Sequence, residues 1–220
     1  MDKQKDAGGF HTSFTSLPAL LARIRLERLL KHFPSNVIWA IYVFINGFVS
    51  IGLLALLALF TGSPFVFPSL GPTAYLFFFS PLAETASPRN TILGHAIGLI
   101  CGYGAFVLSV ATSPPFGVLP GVHGPRVLAA ALSLSATGAL MALFRVSHPP
   151  AGATTLIVSL GIISHPKDLV IIEIAVILLT VQALVINRLA GLPYPFWQNR
   201  ESAEPARVPG KSGVGSPQRL

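Results

Sequence analysis

Long apolar runs, interrupted by short links that carry charge, proline or glycine, set the plan of this chain. Residues 38–60 form a run whose one strongly polar side chain is Asn46, with Trp39 and Tyr42 near its start as interfacial anchors. Gly62, Ser63 and Pro64 end it, and a shorter run follows over 65–80. After a polar link at 84–90, residues 92–111 are again long enough to span a bilayer, and they place Gly94, Gly98 and Gly102 at the four-residue spacing that lets helix backbones approach closely. The pattern then recurs: an apolar run over 127–144, a short one over 151–163, a polar link at 164–168 and a last spanning run over 169–186. Tyr194 and Trp197 follow as interfacial aromatics. These runs predict an all-α, polytopic transmembrane protein of two membrane repeats, 34–111 and 126–198, joined by a loop at 112–125. Each repeat reads as long helix, short (half or re-entrant) helix, long helix.

The flanks differ from the runs. Residues 17–33 place Leu17, Leu20, Leu21 and Ile24 at helical spacing among Arg23, Arg25, Arg28 and Lys31, with Ser16 as a cap. Such a helix either lies on the membrane surface or packs as a solvated helix on the protein's own loops. Residues 1–16 read as a flexible tail, and 199–220, rich in Pro, Gly, Ser and charge, as a disordered one.

Composition agrees with the runs: 52% of the 220 residues are hydrophobic and 10% charged, against about 25% charged in a soluble domain. The net charge of +7 belongs to the ends and links, so a basic nucleic-acid-binding surface is not expected. The distribution of Lys and Arg predicts both termini on the cytoplasmic side, whether the chain crosses four times or six. The single Cys101 builds no disulfide or metal site, and neither cofactor nor metal is expected. A paired carboxylate or a nucleophile–base set is also missing from the runs, which argues against an enzyme.

A sequence repeat underlies the recurring pattern. A shift of 81 brings Pro68, Gly71 and Thr73 onto Pro149, Gly152 and Thr154. Downstream, a shift of 78 brings Pro88, Arg89 and Asn90 onto Pro166, Lys167 and Asp168, and His95 onto Glu173, the two ionisable residues inside apolar runs. Three segments per half predict that the second half is inverted relative to the first. In each Pro-x-x-Gly-x-Thr copy the proline starts a helix at no hydrogen-bond cost, the glycine allows close approach, and the threonine adds a hydroxyl beside free N–H groups. Each helix start carries roughly half a positive charge, so two that converge near the midplane would hold a small monovalent anion. The candidate binding residues are Ser69, Gly71, Thr73, His148, Gly152, Thr154 and Thr155. His95 and Glu173 are candidates for proton coupling, since ionisable groups inside a membrane face an interior or a watered cavity. His148 faces either the same site or a membrane–water boundary, and Glu173 either couples or simply bonds a neighbouring helix.

The stretch from Ser147 through His148, Pro149, Pro150, Ala151, Gly152, Ala153, Thr154 and Thr155 resembles the HPP family of integral membrane proteins. Pro68 to Ala74, Pro88-Arg89-Asn90 followed by Gly94-His95, and Leu192-Pro193-Tyr194-Pro195 with Trp197 extend the likeness over about 35–198. Plastid and cyanobacterial members are associated with nitrite transport. The resemblance implies a small-anion transporter, nitrite first, in a plasma or inner membrane or a plastid envelope according to source. A non-transporting membrane scaffold or assembly protein is the alternative. The expected partners are the anion and the bilayer, and the glycine-bearing helix faces suggest a homo-oligomer.

Overall fold

The computed structural model describes residues 26–112 and 124–198. The expectations for 1–16, 17–25, 113–123 and 199–220 lie outside the described residues. Within them are seven α-helices and no strand: α1 (Leu26–His32), α2 (Ser35–Thr61), α3 (Leu70–Phe79), α4 (Pro88–Ala111), α5 (Gly124–Leu143), α6 (Pro150–Ser159) and α7 (Pro166–Leu189), with a 3-10 turn at Glu84–Ala86. The chain is a multi-pass integral membrane protein. Four helices, α2, α4, α5 and α7, are long and apolar enough to cross a bilayer. The two 10-residue helices are not: each rises about 15 Å, half of a hydrocarbon core of about 30 Å.

Helix boundaries follow capping chemistry more closely than hydropathy. α4 begins at Pro88, four residues before its apolar run, because the Ser87 hydroxyl accepts from Asn90 N (3.4 Å) and proline suits the first helical position. α7 begins at Pro166, three residues before its apolar run, with proline again at the first position but no side-chain cap. Of the short run at 65–80, only Leu70–Phe79 is helical, since Phe65–Pro68 precede the turn that Ser69 closes. The predicted loop at 112–125 loses its last two residues to α5. At the other ends, left-handed Gly62 (φ 62°), Gly161 (φ 75°) and Gly191 (φ 88°) close α2, α6 and α7. α5 closes in the same way, with Val146 N bonded to Met141 O (2.8 Å) and Arg145 N to Ala142 O (3.2 Å). Its left-handed residue, however, is Arg145 (φ 52°), at a cost of about 1–2 kcal/mol.

Hydrogen bonds between distant segments sort the helix ends. Leu26 N reaches Ala190 O (3.0 Å), and Arg89 N reaches Trp197 O (2.9 Å). Tyr194 OH donates to Ala86 O, and burial pushes its phenol pKa up. Arg89 also donates to Arg145 O (2.8 Å) and Phe144 O (3.0 Å). One end of the molecule therefore gathers α1, the start of α4 and the finishes of α5 and α7. At the opposite end Arg126, near the start of α5, donates to Leu160 O at the finish of α6 (3.1 Å). α4 and α7, equal in length at 24 residues, thus run in opposite senses.

Two of the seams between the helices bear on the interior. Along the first, α4 lays its glycines against α6 and the residues before it. A methyl group at Gly94 would lie 2.7 Å from His148 Cβ, at Gly98 2.8 Å from Ala151 O, and at Gly102 2.7 Å from Thr155 O. Along the second, α7 packs apolar side chains against α2 and α3, and Phe77, Phe78, Ile172, Val176, Leu179 and Tyr194 are fully buried in one cluster. Asn187 ties this seam: it accepts from Tyr42 OH (2.6 Å) and donates to Phe77 O (3.1 Å).

Candidate functional site

The start of α3 and the first turns of α6 meet in the interior, and the meeting point is polar. Ser69 precedes α3, and Thr154 lies in α6; their hydroxyl oxygens are 2.6 Å apart. Thr154 Oγ1 is also 2.8 Å from His95 Nδ1, which α4 carries in from the opposite side. The other nitrogen of that ring, Nε2, is 3.1 Å from Thr73 Oγ1, and Thr73 Oγ1 is 3.2 Å from His148 Nε2. His148 Nδ1 is 2.7 Å from the Thr85 carbonyl and 3.4 Å from Thr91 Oγ1. Ser69, Thr73 and His95 are 0% exposed, and His148 and Thr154 are 1% exposed.

The fold places each of these side chains for an identifiable reason. Gly94 leaves room for His148, so the two imidazoles lie with ring centroids 4.9 Å apart. Thr73 sits one turn beyond Ser69 and within 2.9 Å of its carbonyl, which keeps both hydroxyls on the inner face of α3. Phe67 meets the His95 ring edge-on with centroids 6.4 Å apart, closing the cluster on its apolar side. Arg89 holds the carbonyls at Phe144 and Arg145, and so fixes the segment that delivers His148.

The contacts assign the protons. With each ring neutral, one nitrogen donates and the other accepts. A carbonyl only accepts, so His148 Nδ1 carries the proton toward Thr85 O and Nε2 is left as an acceptor. Thr73 O–H is the donor within reach of that nitrogen; its oxygen then accepts from His95 Nε2–H. His95 Nδ1 accepts from Thr154 O–H, and Thr154 accepts from Ser69 O–H. Thr73 has one proton and two acceptors, the Ser69 carbonyl at 2.9 Å and His148 Nε2 at 3.2 Å, so the chain from Ser69 to His148 is continuous when that hydroxyl points at His148.

Five of the nine residues singled out from the sequence, Ser69, Thr73, His95, His148 and Thr154, thus come together. Gly71 is exposed and has nothing near its Cα hydrogens, and Gly152 faces Leu134 on α5. Thr155 turns toward α5 as well, bonding Thr137 (3.0 Å) and Ala151 O (3.0 Å). Glu173 stands apart from the cluster, with both carboxyl oxygens buried and without a hydrogen-bond partner. Sequence reasoning missed the Thr85 carbonyl and Thr91, for which no residue-level signal exists. It also missed the clasp made by Arg89, whose pairing with Lys167 in the repeat is the trace that could have pointed to it.

On its far side His148 borders a cleft of about 430 Å³ lined also by Glu84, Gly138, Met141, Arg145 and Ser147. The buried chain therefore ends at a charged opening.

The family model described as HPP, transmembrane region, matches residues 33–195. A transmembrane protein of Dictyostelium discoideum is 29% identical over 136 residues, which is 59% of this chain. The match spans 44% of that relative's own length. No solved structure matches.

Proposed function

The chain belongs to the HPP transmembrane family, and on that premise we propose that it is a membrane transporter for a small monovalent anion, nitrite first. The observation that carries this reading is the junction of Ser69 and Thr154, where the starts of two short helices, one from each half, meet among buried hydroxyls. The opposite senses of α4 and α7 support an inverted-repeat arrangement, in which the two short helices point their positive ends at a common point near mid-depth. An anion there replaces the mutual bond of Ser69 and Thr154 and takes hydrogen bonds from both, with Thr73, His95 and His148 behind them. Glu173 lies outside this shell. Both termini are assigned to the cytoplasmic side, with the cleft at Glu84 and Arg145 opening on that face, and the assembly is a homo-oligomer.

The alternative, a non-transporting scaffold, draws on the completeness of the cluster: its hydroxyls and imidazoles satisfy one another, as they would in a purely structural network. Nitrite uptake by liposomes containing the purified protein separates the two. The transport reading expects uptake above that of empty vesicles, reduced by about tenfold when Thr154→Val removes one charge-assisted hydrogen bond to the anion. Vesicles that take up nitrite, nitrate and formate no faster than empty ones would leave the scaffold.

A further inference from the structure

We propose, on the basis of the transport reading above, that Ser69, Thr154, His95, Thr73 and His148 form a proton relay. It joins the helix-end site to the cleft at Glu84 and Arg145, so that anion movement is coupled to proton movement. The argument is the continuity of the chain. Its links of 2.6, 2.8, 3.1 and 3.2 Å are all of hydrogen-bond length, and every interior member both donates and accepts. A network that only holds helices together has no need of two imidazoles in series, each entered at one nitrogen and left at the other.

The transfer balances. The acid form of the anion gives a proton to Ser69, whose own proton binds a lone pair of Thr154, and Thr154 gives its own proton to His95 Nδ1. His95 gives its Nε2 proton to Thr73, and Thr73 gives its own to His148 Nε2. His148, then doubly protonated, turns its Nδ1–H from Thr85 O and releases that proton to water in the cleft. One proton enters and one leaves, and only O–H and N–H bonds are exchanged. Rotation of the hydroxyls and return of the tautomers reset the chain, and the reverse sequence carries a proton inward.

The charges around the path favour this exit. Glu84 and Arg145 line the cleft beside His148, and Arg89 on α4 is committed to the Phe144 and Arg145 carbonyls. α3 and α6 carry no Asp, Glu, Lys or Arg. The basic residue of α5, Arg126, is at the opposite end, bonded to Leu160 O. Glu173 on α7 makes no hydrogen bond to the cluster. Between Ser69 and the cleft, therefore, proton carriage rests on the two histidines.

The test uses the purified full chain in liposomes with a trapped pH dye, given first a nitrite gradient and then, without nitrite, a potassium gradient with valinomycin. Wild type, Thr73→Val and Thr73→Ser are compared. The relay expects a dye response in wild type. It falls by about a hundredfold in Thr73→Val, the lower range for loss of a positioned proton-transfer group, and returns in Thr73→Ser. Thr154→Val, which cuts the chain one link away, serves if Thr73→Val does not fold. Nitrite uptake with a dye response no larger than that of empty vesicles overturns the relay and leaves the transport reading standing. A Thr73→Val response equal to that of wild type also overturns it. Thr73-dependent proton flux under valinomycin without nitrite uptake upholds the proton path but overturns its coupling to an anion, and removes the anion reading. Absence of both signals overturns both.

Discussion

The helices α4 and α7 align under a 78-residue shift, and the seams they form have opposite characters. On α4, Gly94, Gly98 and Gly102 press backbone against backbone, and His95 beside them is bonded on both ring nitrogens. The 78-residue shift puts Ile172, Val176 and Thr180 at the glycine positions of α7, and Glu173 at that of His95. There the side chains fill the interface, and the carboxyl is left without a hydrogen-bond partner. The difference teaches how two similarly placed helices serve two ends. Removing side chains from α4 lets α6 approach until hydroxyls and imidazoles from both halves touch. Keeping them on α7 supplies apolar burial, which in a bilayer is gained by packing rather than by exclusion of water.

Substitutions that exchange the characters of the seams sharpen this contrast. The largest effect is expected at the apolar seam: Phe77→Ala, which empties space beside Tyr194 and Val176, costs about 3–5 kcal/mol in equilibrium unfolding in detergent. The protein that remains folded should keep its uptake rate. At the glycine seam, Gly98→Ala costs about 1–3 kcal/mol by overpacking, and it reduces uptake per folded molecule, because the added methyl pushes on the backbone that carries Thr154 and Thr155. Equal uptake per folded molecule in both variants would erase the functional distinction between the seams. The smallest and most diagnostic effects come from the equivalent pair. His95→Leu takes the imidazole acceptor from Thr154 and the imidazole donor from Thr73, and lowers stability by about 1–3 kcal/mol. Glu173→Leu removes an unpaired buried carboxyl and raises stability by about 1 kcal/mol. Thermal melts of the two proteins should move in opposite directions.

Much of the fold was legible because membrane helices announce themselves by length and hydropathy, and because the repeat supplies each half with a second reading. α4 and α7 match end for end under the 78-residue shift, including the prolines that start them. The site was legible in part. Ser69, Thr73 and Thr154 carry hydroxyls on the inner faces of the short helices, and His95 and His148 are polar groups too costly to leave among lipids. What pattern alone could not give was the direction of each side chain. Gly71, Gly152 and Thr155 belong to the same motifs but lie on other faces, one helical residue step being about 100°. Nor could it give partners that are backbone carbonyls, such as Thr85 O for His148 or Phe144 O for Arg89. The buried amide of Asn187 escaped because it sits one residue past the last apolar run, where a polar side chain looks like the onset of solvent.

The glycine seam also constrains how the gene for this protein can drift. Every single-base missense change of a glycine codon introduces at least a methyl group, and at Gly94, Gly98 and Gly102 a methyl lands within 2.7–2.8 Å of another atom. An isoleucine or valine codon, by contrast, has neighbours that encode residues of nearly the same volume. Ile172 and Val176 can therefore wander through conservative alternatives, while the three glycines have no adjacent substitute. The apolar seam is left room to vary, and the glycine seam is held to its letters by the distance between two backbones.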